Sequence, residues 1–177
     1  MPFFRTLALG VVALVAGAVL LASPGQAQES APRPDLVGEF GDWELYTYDG
    51  QNGKVCFILS RPERIEPSDR DHGDVFFFVT SRPSDGVESE ASVLVGYNFE
   101  PESRVTVDID GEDFDMFVDR DGAWIDQPAD EARILAAMRA GRNMVVSGRS
   151  SRGTDTRYTF SLSGVTASTN RMREVCS

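Results

Sequence analysis

MVVSGRSSRGTDTRYTFSLSG, residues Met144 to Gly164, holds two alternating runs on either side of a glycine-containing turn. In the first run Met144 and Val146 share a side opposite Val145. In the second, Tyr158, Phe160 and Leu162 stand opposite Thr159, Ser161 and Ser163. A period of two marks a strand with one face buried and the other wet, so the stretch predicts a β-hairpin. It also carries dense basic charge, with Arg149, Arg152 and Arg157 around the turn.

The same habit runs upstream. Glu44 to Tyr48 reads as a strand, Asp49 to Gly53 as a turn, and Lys54 to Ser60 as the returning strand. Val55, Phe57 and Leu59 alternate there with Cys56 and Ile58, so both faces need cover and the strand is central. Arg61 to Gly73 is a charged loop. Asp74 to Ser81, with Val75-Phe76-Phe77-Phe78-Val79 unbroken, requires burial on both sides. Pro83 to Ser89 reads as a loop and Ala91 to Phe99 as a strand with Val93, Val95, Tyr97 and Phe99 on one face. Arg104 to Ile109, Phe114 to Val118 and Ala123 to Ile125 are short strands joined by Asp110-Gly111 and Asp121-Gly122, dipeptides that suit tight hairpins. Pro128 to Ala140 changes period. Ile134, Leu135 and Met138 recur at helical spacing, Pro128 fits the first turn, Asp130 and Glu131 follow it, and Gly141 stops the helix. Val165 to Val175 reads as a short C-terminal helix. The fold class is mainly β: an antiparallel β-sandwich or partly open barrel with one packed α-helix and that second, shorter one.

At the N-terminus, Arg5 precedes an uncharged, mostly apolar run from Thr6 to Ala22, with small residues at Gly25 and Ala27. Residues 1–27 read as a secretory signal peptide, with a retained membrane anchor as the alternative. Residues 28–36, with Pro32 and Pro34, read as a flexible leader, and residues 37–177 as a single β-rich domain. The net charge is −11, and cleavage after Ala27 removes Arg5 and no acid. This balance weighs against nucleic acid as a partner. Cys56 and Cys176 are the two cysteines. An exported chain with an even count commonly oxidises them, so a Cys56–Cys176 disulfide is expected, two buried free thiols being the alternative.

No residue pattern in the chain names a molecular activity. His72 is the one histidine, set among Asp69-Arg70-Asp71 and Gly73-Asp74. It reads as an exposed loop residue rather than a member of a hydrolytic triad. Zinc lacks ligands. Asp108, Asp110, Glu112, Asp113 and Asp115 crowd a glycine turn, but Gly111 falls where a calcium ligand belongs and no bidentate Glu closes the frame, so the stretch reads as a solvated hairpin. No catalytic residue, metal or cofactor is assigned. Arg142, Arg149, Arg152 and Arg157 form a candidate anion- or partner-binding set in which guanidinium forks and the N–H groups around Gly153 meet a phosphate or carboxylate; the plainer reading is a solvated hairpin tip. Trp43 and Trp124 are core aromatics or a ligand surface.

A wider set of features resembles one known family. It comprises Gly41-Asp42-Trp43 opening the domain, a cysteine on the next strand and Gly96-Tyr97-Asn98-Phe99. Ala123-Trp124 then precede Pro128-Ala129-Asp130-Glu131-Ala132 and Ala137-Met138-Arg139-Ala140-Gly141. Ser150-Ser151-Arg152-Gly153, Ser161-Leu162-Ser163-Gly164 and a closing Cys176 complete it. In this order the set resembles the invasion-associated locus B family of exported bacterial proteins. The resemblance implies a mainly antiparallel β domain of the Gram-negative envelope, associated in some pathogens with host-cell invasion, and no established catalytic residues. Lys54 to Pro67 departs from the pattern, its Arg61 and Glu63 to Glu66 making a charged loop of its own. The expected function is a periplasmic or secreted, non-catalytic binding protein. Its partner would be an envelope or host-surface protein or a glycan, with peripheral association with the outer membrane. The alternatives are a periplasmic hydrolase using paired carboxylates from Asp108 to Asp121 and a purely structural envelope protein.

Overall fold

Alternation decides where each strand lies and which side it buries. In β10 (Asn143–Arg149) and β11 (Asp155–Ser161), Met144 faces Phe160 and Val146 faces Tyr158 across the ladder. All four side chains are withdrawn from solvent. Fully burying a side chain of this size contributes about 1.5–3 kcal/mol. The computed structural model describes residues 33–176; the signal peptide read at 1–27 and the first part of the leader lie outside them.

The remaining strands are β1 (Asp35–Phe40), β2 (Trp43–Gly50), β3 (Gly53–Ser60), β4 (Arg64–Glu66), β5 (Phe76–Arg82), β6 (Val87–Leu94), β7 (Arg104–Ile109), β8 (Glu112–Asp119) and β9 (Gly122–Ile125). They form one 11-stranded sheet in the order β1-β2-β3-β5-β6-β9-β8-β7-β10-β11-β4, every neighbouring pair antiparallel. Its end strands, β1 and β4, do not pair with each other, so the sheet is not closed into a barrel. It curls over on itself instead, and its two halves face each other like a sandwich. Phe77 of β5 meets Phe160 of β11 with ring centroids 5.9 Å apart, although five strands separate them in the sheet. Trp43 of β2, wholly buried, donates its indole N–H to Ser161 O at 3.0 Å. Beside it, Asp42 N–H donates to Ser163 O at 3.0 Å. At this seam Gly164 has φ +100 and touches Phe40 O so closely that no Cβ fits there. Central β3 is covered on both sides as expected, Phe57 stacking on Tyr46 at 5.4 Å on the outer face while Ile58 enters the core.

Two helices lie on the sheet. Helix α1 (Pro128–Ala140) rests on β6, β8 and β9, and buries Ile134 and Met138 completely. Helix α2 (Val165–Val175) rests on β1, β2 and β3 and buries Val165 and Met172. A Cys56–Cys176 disulfide, Cα–Cα 6.0 Å across 120 residues, fastens the end of α2 to β3.

Three sequence expectations change. The strand read over Ala91 to Phe99 begins at Val87 and leaves the sheet after Leu94. Gly96 there crosses Gly73 so closely that a Cβ would come within 2.6 Å of Gly73 Cα and of His72 O. Alternating burial continues through Val95 and Phe99, but Gly96 N–H bonds His72 O rather than a sheet partner. The β7–β8 turn uses Asp110 and Gly111 as expected, whereas the β8–β9 turn is shifted one residue, with Arg120 at φ 54. Edge strands β1 and β4 were not legible, and β1 takes the last two residues of the expected leader, Asp35 and Leu36.

Two predictions follow from this architecture. Closing so long a loop gives a chain-entropy contribution of about 4–5 kcal/mol as an upper figure, so replacing Cys56 and Cys176 by serine lowers urea-unfolding stability by roughly 2–5 kcal/mol; a change below about 1 kcal/mol would mean that α2 holds itself without the bridge. Glu131, in the first turn of α1, accepts Ala91 N–H at 2.8 Å. Burial raises its pKa from 4.5 to about 7, the Ala91 bond opposing the rise and nearby Glu90 adding to it. The folded state therefore keeps a proton that the unfolded chain releases. This contribution is whole below 4.5 and is lost as pH rises through about 7. Glu131→Gln matches the parent near pH 4 and exceeds it by about 1 kcal/mol near pH 8, the linkage figure being discounted for partial exposure; parallel stability–pH curves would refute this.

Candidate functional site

Three segments far apart in sequence converge at the tip of the β10–β11 hairpin. The tip is strapped to the loop after β6: Ser151 N–H donates to Asn98 O at 2.8 Å, Glu100 N–H to Arg149 O at 2.8 Å, and Phe99 and Ser150 form an isolated bridge. Within the tip, Thr154 N–H donates to Ser150 Oγ at 3.1 Å and Gly153 N–H to Ser150 O at 2.8 Å. The loop before β5 is held by the Gly73–Gly96 crossing and by Gly73 N–H donating to Asp71 Oδ1 at 2.9 Å.

These segments enclose a cleft of about 830 Å³. Asp69, Arg70, Asp71 and His72 line it from one loop, Gly96, Tyr97 and Asn98 from the second, and Ser150, Ser151, Arg152, Thr154 and Thr156 from the hairpin. Beneath it runs a chain of hydrogen bonds. His72 Nε2 lies 2.9 Å from Pro67 O, and because a carbonyl only accepts, this nitrogen carries a hydrogen. His72 Nδ1 lies 2.8 Å from the Tyr158 hydroxyl, whose oxygen in turn lies 2.9 Å from the Tyr97 hydroxyl. Tyr97 and Thr156 share a 2.7 Å bond, and Thr156 Oγ1 donates to Gly148 O at 3.2 Å. Burial raises the pKa of Tyr158, reinforced by its bond to Tyr97, and burial likewise raises that of Tyr97 against its bonds to Thr156 and Tyr158. Both phenols therefore remain neutral O–H groups at physiological pH.

His72 is thus not the exposed loop residue read from the sequence: only 5% of its surface is accessible. Its loop folds inward because Tyr158 and Pro67 O satisfy both ring nitrogens. Neither partner is a carboxylate or a serine, so the ring is a structural post of the cleft.

The four arginines read as one set are separated. Arg152 lines the cleft and makes no ion pair among the described residues. Arg149 is held by Glu100 at 3.3 Å and Asp155 at 2.9 Å, which consume its charge. Arg157 lies exposed on β11 opposite Glu66 of β4. Arg142 is exposed just before β10, at the end of the hairpin away from the tip. Arg70 joins Arg152 in the cleft instead, a pairing that no local pattern reveals. Of the acids of 108–121, Asp108 lies on β7, Glu112, Asp113, Asp115 and Asp119 lie on β8, and Asp110 and Asp121 sit in turns; Thr106 bonds Asp115 and Arg133 bonds Glu112. Among the described residues no group of three or more His, Cys, Asp or Glu is arranged to hold a metal. Trp43 is core, and Trp124 is half-buried and stacked on Phe117 at 5.9 Å.

Removing the Tyr158 hydroxyl leaves His72 Nδ1 and the Tyr97 hydroxyl short of a partner. Tyr158→Phe is expected to cost about 1–3 kcal/mol in urea unfolding; an unchanged midpoint would show that the chain of hydroxyls does not hold the cleft.

Comparison with known proteins adds to this geometry. The profile of the family described as "Invasion associated locus B (IalB) protein" matches residues 43–173. Among curated proteins, none matches the chain. A crystal structure of invasion associated protein B from Bartonella henselae is similar in fold, with a TM-score of 0.56 and 16% sequence identity, covering 80% of this chain and 98% of that one.

Proposed function

Because the chain belongs to the invasion associated locus B family, we propose that it is an exported envelope protein that works by binding, and that the cleft at the hairpin tip is its binding surface. One observation carries this. Two stretches that bear the family resemblance, Gly96-Tyr97-Asn98 and Ser150-Ser151-Arg152, are distant in sequence yet line one cleft. The lining suits an acidic glycan. Hydroxyls of Ser150, Ser151 and Thr154, the Asn98 amide and the carboxylates of Asp69 and Asp71 match sugar hydroxyls, while Arg152 and Arg70 offer guanidinium forks to a carboxylate or phosphate. Guanidiniums at such a site supply charge-assisted bonds, stronger than neutral ones.

Periplasmic or secreted location, removal of residues 1–27 and peripheral outer-membrane association belong to the same proposal. The buried Cys56–Cys176 bridge supports an oxidising compartment. No helix among the described residues is long and apolar enough to cross a membrane. A role at host cells is the reading that the family name supports. A hydrolase built on paired carboxylates has less support, because the acids of 108–121 are absent from the cleft lining.

Binding to an array of acidic and neutral glycans tests the proposal. The double variant Arg70→Glu with Arg152→Glu is expected to lose at least about tenfold in affinity, and Arg142→Glu, at the far end of the hairpin, to bind as the parent does. Equal loss in both variants would reduce the effect to net charge. Undiminished binding by the double variant would remove the cleft from the account.

A further inference from the structure

A second site lies between the two helices, away from the family-patterned cleft. Arg139 on the last turn of α1 and Arg173 on the last turn of α2 donate to the same atom: each Nη2 lies 2.6 Å from Asn170 Oδ1. The amide must present its oxygen here, since its NH₂ would set donor against donor. Neither arginine makes an ion pair among the described residues. Two like charges are therefore drawn together on one neutral oxygen, in a protein with carboxylates to spare. Each guanidinium has five N–H donors and gives one to Asn170, so donors remain on both.

Both side chains line a pocket of about 370 Å³. Leu135 comes to it from α1, Met172 from α2, Pro83 from the short 3₁₀ turn after β5, and Cys176 from the disulfide. Ser81, Ser89 and Thr169 complete the lining, and an apolar strip beside a paired cationic group has the chemistry of an amphiphile site. The volume is near the lower end of the range for ligand pockets, which suits a single short chain and not a two-chain lipid. We infer that this pocket binds a small anion carrying a short alkyl chain, the carboxylate or phosphate head held by Arg139 and Arg173 and the chain lying against Leu135, Met172 and Pro83. Glu88 also lines the pocket and, among the described residues, forms no ion pair with either arginine. Its negative charge works against the head group and sets a limit on affinity.

Cationic side chains on last turns also complement helix dipoles. That role is structural and moves stability alone, so a binding readout separates the two. Calorimetry on the purified protein uses sodium decanoate and decyl phosphate, with 1-decanol as the uncharged probe and acetate as the chainless one. At least one of the two anionic probes is expected to bind saturably with one site, and decanol and acetate at least tenfold more weakly; which anion binds tighter identifies the head group. Arg173→Gln, on an exposed final turn, is expected to weaken binding at least tenfold. Glu88→Gln, which removes no contact to the arginines, is expected to tighten it two- to fivefold. Decanol binding as tightly as the anions, unchanged affinity in Arg173→Gln, weaker binding in Glu88→Gln, or no saturable heat with either anion up to millimolar concentration would each overturn the inference.

Discussion

An open sheet of eleven strands has two faces and too few helices to cover both, so its apolar side chains stay dry only if it folds over itself. The Trp43–Ser161 seam is where that happens. The indole is the largest wholly buried side chain among the described residues and needs one acceptor for its N–H, which Ser161 O supplies 118 residues away. Phe77 and Phe160 interlock beside it, and the backbones of Phe40 and Gly164 approach more closely than any side chain would allow. The constraint is steric and polar together: a bulkier residue at 164 would push the two halves of the sheet apart, and that separation would leave the buried indole N–H without its Ser161 O acceptor.

The position of the cleft follows from the same constraint. Strand β11 is fixed at one end by the seam, so its other end carries the Ser150–Thr154 tip to a set place, where β11 presents Thr156 and Tyr158 to the loops before β5 and after β6. His72, Tyr97, Tyr158 and Thr156 then bind three segments by polar contacts where apolar packing thins out. Such a network specifies one arrangement only when each member is satisfied, and no buried side-chain polar atom lacks a partner among the described residues.

What could be read in the sequence was whatever repeats locally. The β10–β11 hairpin, α1 and the central β3 announced themselves by period, because burial on one face or on both leaves a pattern within a few residues, whereas α2 showed only a few apolar points in a polar stretch. Edge strands did not. Strand β1 has exposed residues on both faces and β4 is three residues long and charged, so neither carries the alternation that burial imposes. The turn at Arg120 slipped one position because Asp121-Gly122 offered the stronger local signal, while pairing Asp119 with Gly122 settled the register. In the site, Arg152 was legible as an exposed basic tip residue. The neutralising of Arg149 by Glu100 and the inward turn of His72 depend on contacts across 49 and 86 residues, which no window of sequence contains.

The link between Cys56 and Cys176 also bears on how the molecule is made. With two cysteines in the chain only one internal pairing exists, so maturation calls for an oxidant and has no wrong bridge to correct. The second sulfur lies 120 residues further along, past β4 to β11 and both helices. A thiol at position 56 must wait for all of those elements to be synthesised before it can close the ring, so the covalent lock is a late event that cannot guide the first pairing of β2 with β3.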